Sequence, residues 1–113
     1  MENSNWSEEG DHSPSSRSVG EINMNGQLFD AGQVLATPGA LALGEGGVDL
    51  ISCLMRHLSG DWGDLVSEDK AENDFSLKRD LRIFSAYNTT NGRLWIITEA
   101  DRTTTTLLLP DEY

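Results

Sequence analysis

The last third of the chain, residues 81–113, constrains the fold more than any other segment. Its sequence, LRIFSAYNTTNGRLWIITEADRTTTTLLLPDEY, holds three runs rich in β-branched and aromatic residues, separated by two turn signals. Asn91-Gly92 is a strong hairpin signal, and residues 99–102 turn the chain a second time. Three consecutive strands joined by short turns predict an antiparallel meander.

Helical spacing dominates the segments before the meander. Apolar residues recur with helical periodicity over 48–59, and a second helix is predicted over 67–79 with Ser67 as its N-cap. Thr37 and Pro38 favour the start of a shorter helix. Helices segregated from strands indicate an α+β fold, in which a three-stranded antiparallel C-terminal meander packs against two to three helices.

Composition divides the chain into two parts. Residues 1–26 are predicted to form a disordered acidic and polar tail, in which Trp6 is the one large apolar side chain before Ile22. Residues 27–113 are predicted to form a single α+β domain, with a short edge strand or hairpin near its start.

Charge limits the classes of partner. The net charge is −11, with 19 acidic against 8 basic residues, which argues against direct binding of nucleic acid or of an anionic membrane. The same charge permits a protein partner. No apolar run is long enough to span a membrane, and the polar N-terminus does not resemble a secretory signal, so a cytoplasmic location is expected.

The segment RHLSGDWGDL, residues 56–65, concentrates the groups that could carry chemistry. His57 could act as a general base oriented by Asp61 or Asp64, and Trp62 could form an aromatic wall. The alternative is structural: Trp62 fills the core, while the two carboxylates cap turns or the next helix. One histidine and two aspartates form a weak metal set, so no metal site is predicted.

A second cluster lies in the turn between the last two predicted strands. It contains Glu99, Asp101 and Arg102, and Arg102 could pair with a carboxylate of the fold or bind an anion. The alternative is a β-turn with an internal ion pair. Cys53 is the single cysteine and lies in an apolar run, which favours a buried thiol. No cofactor is expected, because the sequence has neither a phosphate loop nor a nucleotide fingerprint.

Four pieces of the chain resemble a family of small bacterial proteins that are common on plasmids and other mobile or accessory DNA. The pieces are ATPGAL (36–41), RHLSGDWGDL (56–65), EDKAEND (68–74) and LWIITEADRTTTTLLLPDEY (94–113). The resemblance covers about residues 33–113 and implies an intact family domain with a variable tail. Some members carry labels that link them to restriction-modification, including methylase subunits. A methylase activity does not fit this chain, which lacks a Gly-rich cofactor loop and an Asn-Pro-Pro-aromatic motif.

Three functions from different classes are compatible with these features. The first is an accessory protein that acts through protein–protein contact, favoured by the small size, the charge and the lack of a convincing catalytic set. The second is a small hydrolase or nuclease that uses His57, Asp61, Asp64 and Arg102. The third is a small-ligand or peptide-binding module with Trp62 and Trp95 as aromatic walls.

Overall fold

The structure is a computed structural model that describes residues 17–21, as backbone, and residues 26–113. Its elements in chain order are β1 (Arg17–Glu21), β2 (Gln33–Ala36), α1 (Pro38–Glu45), α2 (Leu50–Leu58), α3 (Ser67–Arg79), β3 (Ile83–Thr89), β4 (Gly92–Thr98), β5 (Thr104–Leu108) and a 3-10 turn (Pro110–Glu112). The α+β class is therefore confirmed. Of the predicted tail, residues 1–16 and 22–25 lie outside the described residues, whereas residues 17–21 form β1.

The predicted three-stranded antiparallel meander is present, but it is only part of a larger mixed sheet of five strands. β3, β4 and β5 form the expected meander, but β2 pairs in parallel with β5, and β1 adds to β2 in the antiparallel sense. The strand order is β1-β2-β5-β4-β3. A parallel neighbour needs a long crossover, and the three helices between β2 and β3 belong to that connection.

The helices begin and end close to the predicted residues, with small differences. α3 covers the predicted range, but Val66 is its N-cap and makes no side-chain cap bond, so Ser67 lies inside the helix. The β3–β4 hairpin pairs Thr89 with Gly92, which places Thr90 and Asn91 in the loop, one residue earlier than expected.

One face of the sheet forms the floor of the main core. Because paired residues share a face, the register places ten side chains there: Val34, Ala36, Ile83, Ser85, Tyr87, Leu94, Ile96, Thr98, Thr105 and Leu107. All of them are buried. Residues of α1 and α2, including Leu43, Leu54 and Leu58, pack in the same cluster. We call this side the inner face and the opposite side the outer face.

The free edge of β3 is sealed by hydrogen bonds from outside the sheet. The buried Asn73 of α3 accepts from the Phe84 N–H and donates to the Phe84 carbonyl. The Ala86 N–H donates to the Trp62 carbonyl, and the Asp64 N–H donates to the Ala86 carbonyl. An unpaired edge strand is a template for aggregation, so these bonds protect the sheet as well as satisfying its backbone.

Gly63 allows the chain to approach β3 this closely. Its φ of +77° is unfavourable for other residues, and a Cβ at this position would lie 2.1 Å from the Ala86 carbonyl oxygen. The Asp64 carboxylate then accepts from the Asn88 N–H at 2.8 Å. The segments RHLSGDWGDL and EDKAEND therefore meet at the same edge and act together there.

The N-terminus of α1 joins the ATPGAL segment to the PDEY segment. The Glu112 carboxylate accepts from the Thr37 hydroxyl, from the Gly39 N–H at 2.9 Å and from the Leu109 N–H at 2.8 Å. Burial raises the pKa of Glu112, but these hydrogen bonds outweigh it and the net pKa is lowered. A carboxylate at a helix N-terminus also opposes the positive end of the helix dipole. The 3-10 turn is thereby fastened to the start of α1.

Replacing Asn73 with Ala should destabilise the domain by about 2–4 kcal/mol, because two buried backbone groups of Phe84 lose their partner. The adjacent, exposed Glu72 provides the matched control, and Glu72→Ala should change the free energy of unfolding by less than about 0.5 kcal/mol. Urea unfolding measures both values. Equal effects of the two substitutions would contradict the sealed edge.

Candidate functional site

His57 lies inside the domain and not in an open site. Its side chain projects from α2 onto the inner face and is 0% exposed. The Nδ1 atom lies 2.6 Å from the Ser85 hydroxyl oxygen, and Nε2 lies 2.9 Å from that of Thr98. The Thr98 hydroxyl continues to Thr105 at 2.7 Å, and Thr105 donates to the Ala31 carbonyl at 2.8 Å. We call this chain of hydrogen bonds the buried relay.

The terminal carbonyl fixes the direction of every bond in the buried relay. The Ala31 oxygen can only accept, so the Thr105 hydroxyl donates to it and must accept from Thr98. Thr98 has then used its proton and accepts from His57 Nε2–H. Nδ1 is left as an acceptor for the Ser85 hydroxyl. His57 is therefore the neutral Nε2–H tautomer, with both ring nitrogens occupied.

Burial makes protonation of His57 unfavourable. Desolvation, followed by the nearby positive charge of Arg102, lowers the pKa of His57 from 6.5 to about 3. An unexposed imidazole with two occupied nitrogens is not in reach of a substrate proton. Its contacts with Phe29 and Trp62, at ring separations of 5.3 and 6.0 Å, are those of a core side chain.

Asp61 lies at the surface and holds the turn after α2. Its carboxylate accepts from Arg56 Nε at 2.7 Å and from Arg56 Nη2 at 3.3 Å. The hydrogen bond from Arg56 lowers the pKa of Asp61. The Arg56 guanidinium also stacks 4.7 Å from the Tyr87 ring centre, while the Tyr87 hydroxyl donates to the Asp61 carbonyl. These contacts fasten the turn to the rim of β3.

Trp62 is buried and supports the fold from the same turn. Its side chain is 5% exposed, and its indole N–H donates to the Asp74 carboxylate at 3.0 Å. Trp62 and Asp64 thus join the turn both to α3 and to β3. The interpretation that Trp62 fills the core, with the carboxylates binding turns, describes this region well.

Arg102 binds main-chain carbonyls rather than a carboxylate. Its guanidinium donates to the carbonyls of Leu81, Glu99, Ala100 and Ser76, at 2.7 to 3.4 Å. It thereby ties together the end of α3, the start of β3 and the β4–β5 turn. The Phe29 ring lies beside it, 5.6 Å from Cζ. Because Phe29 also contacts His57, Arg102 and His57 occupy the same side of the sheet, separated by an aromatic ring.

Glu99 and Asp101 have different partners in the β4–β5 turn. Asp101 Oδ1 accepts from both the N–H and the hydroxyl of Thr103, which closes a local turn. The Glu99 carboxylate oxygen Oε1 lies 3.9 Å from Arg82 Nε. The main-chain carbonyl of Glu99 accepts a hydrogen bond from the Arg102 N–H. The expected ion pair inside the turn is therefore replaced by one with the start of β3.

The four candidate catalytic residues do not line a common open pocket. His57 is enclosed, Asp61 binds Arg56, Asp64 binds the β3 edge and Arg102 binds carbonyls. Within the described residues, no group of three or more His, Cys, Asp or Glu could hold a metal ion. None of the described helices is long and apolar enough to cross a membrane.

A groove of about 310 Å³ opens on the outer face, away from all these residues. Its lining consists of Arg82, Phe84, Trp95, Ile97 and Tyr113. Phe84 and Ile97 are directly paired across β3 and β4, and Trp95 lies two residues along β4. The Trp95 ring packs edge-on against Phe84 at 4.9 Å and against Tyr113 at 5.8 Å. We call this feature the outer groove.

The exposed polar groups that line the outer groove are the Arg82 guanidinium and the Tyr113 hydroxyl. Arg82 stacks on the Tyr113 ring at 5.2 Å and donates to the Tyr113 hydroxyl. The Trp95 indole N–H is buried and has no hydrogen-bond partner in the part of the chain that the structure describes. Tyr113 is 68% exposed at the mouth of the groove. An aromatic lining with a single cation is typical of a site for an apolar group that carries hydrogen-bond acceptors.

Sequence reasoning missed most of the outer groove, although it named Trp95. Alternation in the first strand places Arg82 and Phe84 on one face, and the hairpin register then adds Trp95 and Ile97. A turn at Asn91-Gly92 would instead pair Phe84 with Glu99, two residues away from its observed partner Ile97. The predicted register therefore kept these side chains on one face but did not place Phe84 opposite Ile97.

Comparison with protein-family models, with curated proteins and with solved structures finds no match for this chain.

The buried relay predicts a pH dependence of stability. The unfolded chain protonates His57 below pH 6.5, whereas the folded chain protonates it only near pH 3, so stability is lost as the pH falls through this range. The free energy of unfolding should drop by about 1.4 kcal/mol per pH unit below pH 6. Between pH 5 and 6.5 carboxylates contribute little to the pH dependence of the free energy of unfolding, because the ordinary pKa of a carboxyl group is about 4.

Urea unfolding at several pH values measures the slope. Replacing His57 with Gln should remove the slope. If His57→Gln does not fold, NMR titration of the wild-type imidazole gives the same information. A His57 ring that titrates near pH 6.5 would contradict the buried relay.

Proposed function

We propose that this chain is a non-catalytic accessory protein that binds a segment of another protein through the outer groove. The observation that supports this proposal is that the candidate catalytic residues are engaged within the fold, whereas the outer groove is open. The residues that look catalytic bind hydroxyl groups, Arg56 and main-chain groups of the fold, while the outer groove presents partly exposed aromatic side chains on the far side of the sheet.

The chemistry of the groove supports a partner segment with an apolar side chain close to a carboxylate. Phe84, Trp95 and Ile97 can bury an aromatic or aliphatic group. The Arg82 guanidinium can donate hydrogen bonds to oxygen. A carboxylate would compete with Glu99 for Arg82, but an exposed pair at 3.9 Å contributes little.

The setting of this activity is also part of the proposal. The resemblance to small proteins of plasmids and accessory DNA supports a bacterial, cytoplasmic partner encoded by, or acting on, such DNA. The net charge of −11 disfavours a direct contact with the DNA itself, so the protein partner is the expected point of contact.

Selection from a displayed peptide library tests the proposal even though the partner is unidentified. The wild-type chain should enrich peptides that carry an aromatic or large aliphatic residue near Asp or Glu. Calorimetry with one enriched peptide should show that Arg82→Ala/Tyr113→Ala weakens binding by about tenfold or more, which corresponds to 1.4 kcal/mol.

The chain contains a matched control for this experiment. On α3 the Arg79 guanidinium stacks on the exposed Phe75 ring at 4.8 Å, which reproduces the Arg82–Tyr113 contact at another site. Arg79→Ala/Phe75→Ala should leave the peptide affinity unchanged. Failure to enrich any peptide, or equal losses in the two double variants, would contradict binding through the outer groove.

A further inference from the structure

We propose that the N-terminal segment of this chain, residues 1–16, binds in the outer groove through Trp6. The inference deepens the proposed function, because it assigns the groove an internal ligand that competes with a partner segment. It draws on three observations: the chemistry of the segment, the charge of the outer face and the position at which the segment joins the sheet.

The segment matches the chemistry of the groove. Its sequence is MENSNWSEEGDHSPSS, in which Trp6 is the one large aromatic residue. Glu2, Glu8, Glu9 and Asp11 surround it, and the segment contains no Lys or Arg. An indole flanked by carboxylates can insert its ring among Phe84, Trp95 and Ile97 while its acidic neighbours accept from Arg82.

The outer face has the complementary charge. Along the outward positions of β3 and β4, with the residue that flanks each strand, the charged side chains are Arg82, Arg93 and Glu99. Two cations against one acid is the reverse of the balance in the whole chain, which has 8 basic and 19 acidic residues. The local positive charge of this face favours an acidic segment.

The segment joins the sheet in line with the groove. Arg17 pairs with Ala36, Ala36 pairs with Leu107, and Leu107 pairs with Ile96, which lies between Trp95 and Ile97 on β4. The start of β1 is thus in the same row as the groove, about three strand spacings or roughly 14 Å away. The eleven residues from Trp6 to Arg17 can span up to about 36 Å when extended.

Because the segment is covalently attached to the domain, it can occupy the outer groove even if its intrinsic affinity for the groove is modest. A ligand joined to its site by a short linker reaches an effective concentration in the millimolar range, so a site whose dissociation constant for the segment lies below that range is largely occupied. A polar segment with one large aromatic residue can order on a preformed surface. α1 and α2 pack on the inner face, whereas the outer groove opens on the other face of the sheet.

NMR on the full-length chain tests the inference directly. Nuclear Overhauser contacts are expected from the Trp6 indole to the Ile97 methyl groups and the Tyr113 ring. They should be lost in Arg82→Ala/Tyr113→Ala and retained in Arg79→Ala/Phe75→Ala. A sample of mixed isotope-labelled and unlabelled chains identifies the source of the segment, and contacts that arise only between different chains would overturn the proposal.

Two further results would also overturn it. One is a Trp6 ring as accessible to a soluble paramagnetic agent as a free tryptophan. The other is contact of Trp6 with the exposed Ile51 and Met55 on α2 in place of the groove. Either result leaves the peptide-binding test of the groove intact, so failure of the internal ligand is distinguishable from failure of the proposed function.

Competition provides the functional readout. If the segment occupies the groove about nine-tenths of the time, Trp6→Ala should raise the affinity of a library-selected peptide about tenfold. Asn5→Ala, next to Trp6, is the control and should leave the affinity unchanged. An unchanged affinity in Trp6→Ala would contradict competition between the segment and a partner.

Discussion

The sealing of the β3 edge is the constraint on which the rest of the structure depends. β3 is the last strand of the sheet, so the N–H groups of Phe84, Ala86 and Asn88 point away from β4 and need partners elsewhere. α3 supplies one through Asn73, and the turn after α2 supplies the others through Trp62 and Asp64. Both elements must therefore lie along the edge, and neither contributes a lining residue to the outer groove.

The same constraint explains why the chain looks more catalytic than its structure supports. A turn that approaches β3 needs glycine at position 63, short polar side chains that accept from backbone N–H groups, and a cation that holds them. Asp61, Asp64 and Arg56 meet those needs. His57 has a different role, because its two ring nitrogens bond the Ser85 and Thr98 hydroxyls of β3 and β4, and Thr98 in turn bonds Thr105 of β5.

Local sequence patterns predicted the helices and strands, whereas the pairing between distant strands could not be predicted from them. The helical spacing of α2 and α3 and the alternation in the meander are contained within each segment, so these elements were predictable. The parallel pairing of β2 with β5 joins residues about 70 positions apart, and no local pattern encodes it. A core position for Trp62 was one of the two interpretations of the sequence. It is physically reasonable because a buried indole has a single N–H and needs only one hydrogen-bond partner, here Asp74.

The site was less predictable than the fold, for a physical reason. Whether a histidine between polar neighbours is a base or a structural link depends on its exposure and on hydroxyl groups 28 and 41 residues away. The outer groove depends on a strand register and on Tyr113 folding back over Trp95. Both are properties of the assembled sheet. Arg102 illustrates the same point, because its four carbonyl partners come from three separate elements.

Amide hydrogen exchange at the outward-pointing N–H groups of β3 tests the central claim most directly. If α3 and the turn after α2 seal the edge, the amides of Phe84 and Ala86 should exchange only through global unfolding, as slowly as the interior amides of β4. Exchange of these two amides at the rate of an open sheet edge, with the β4 amides still protected, would contradict the account.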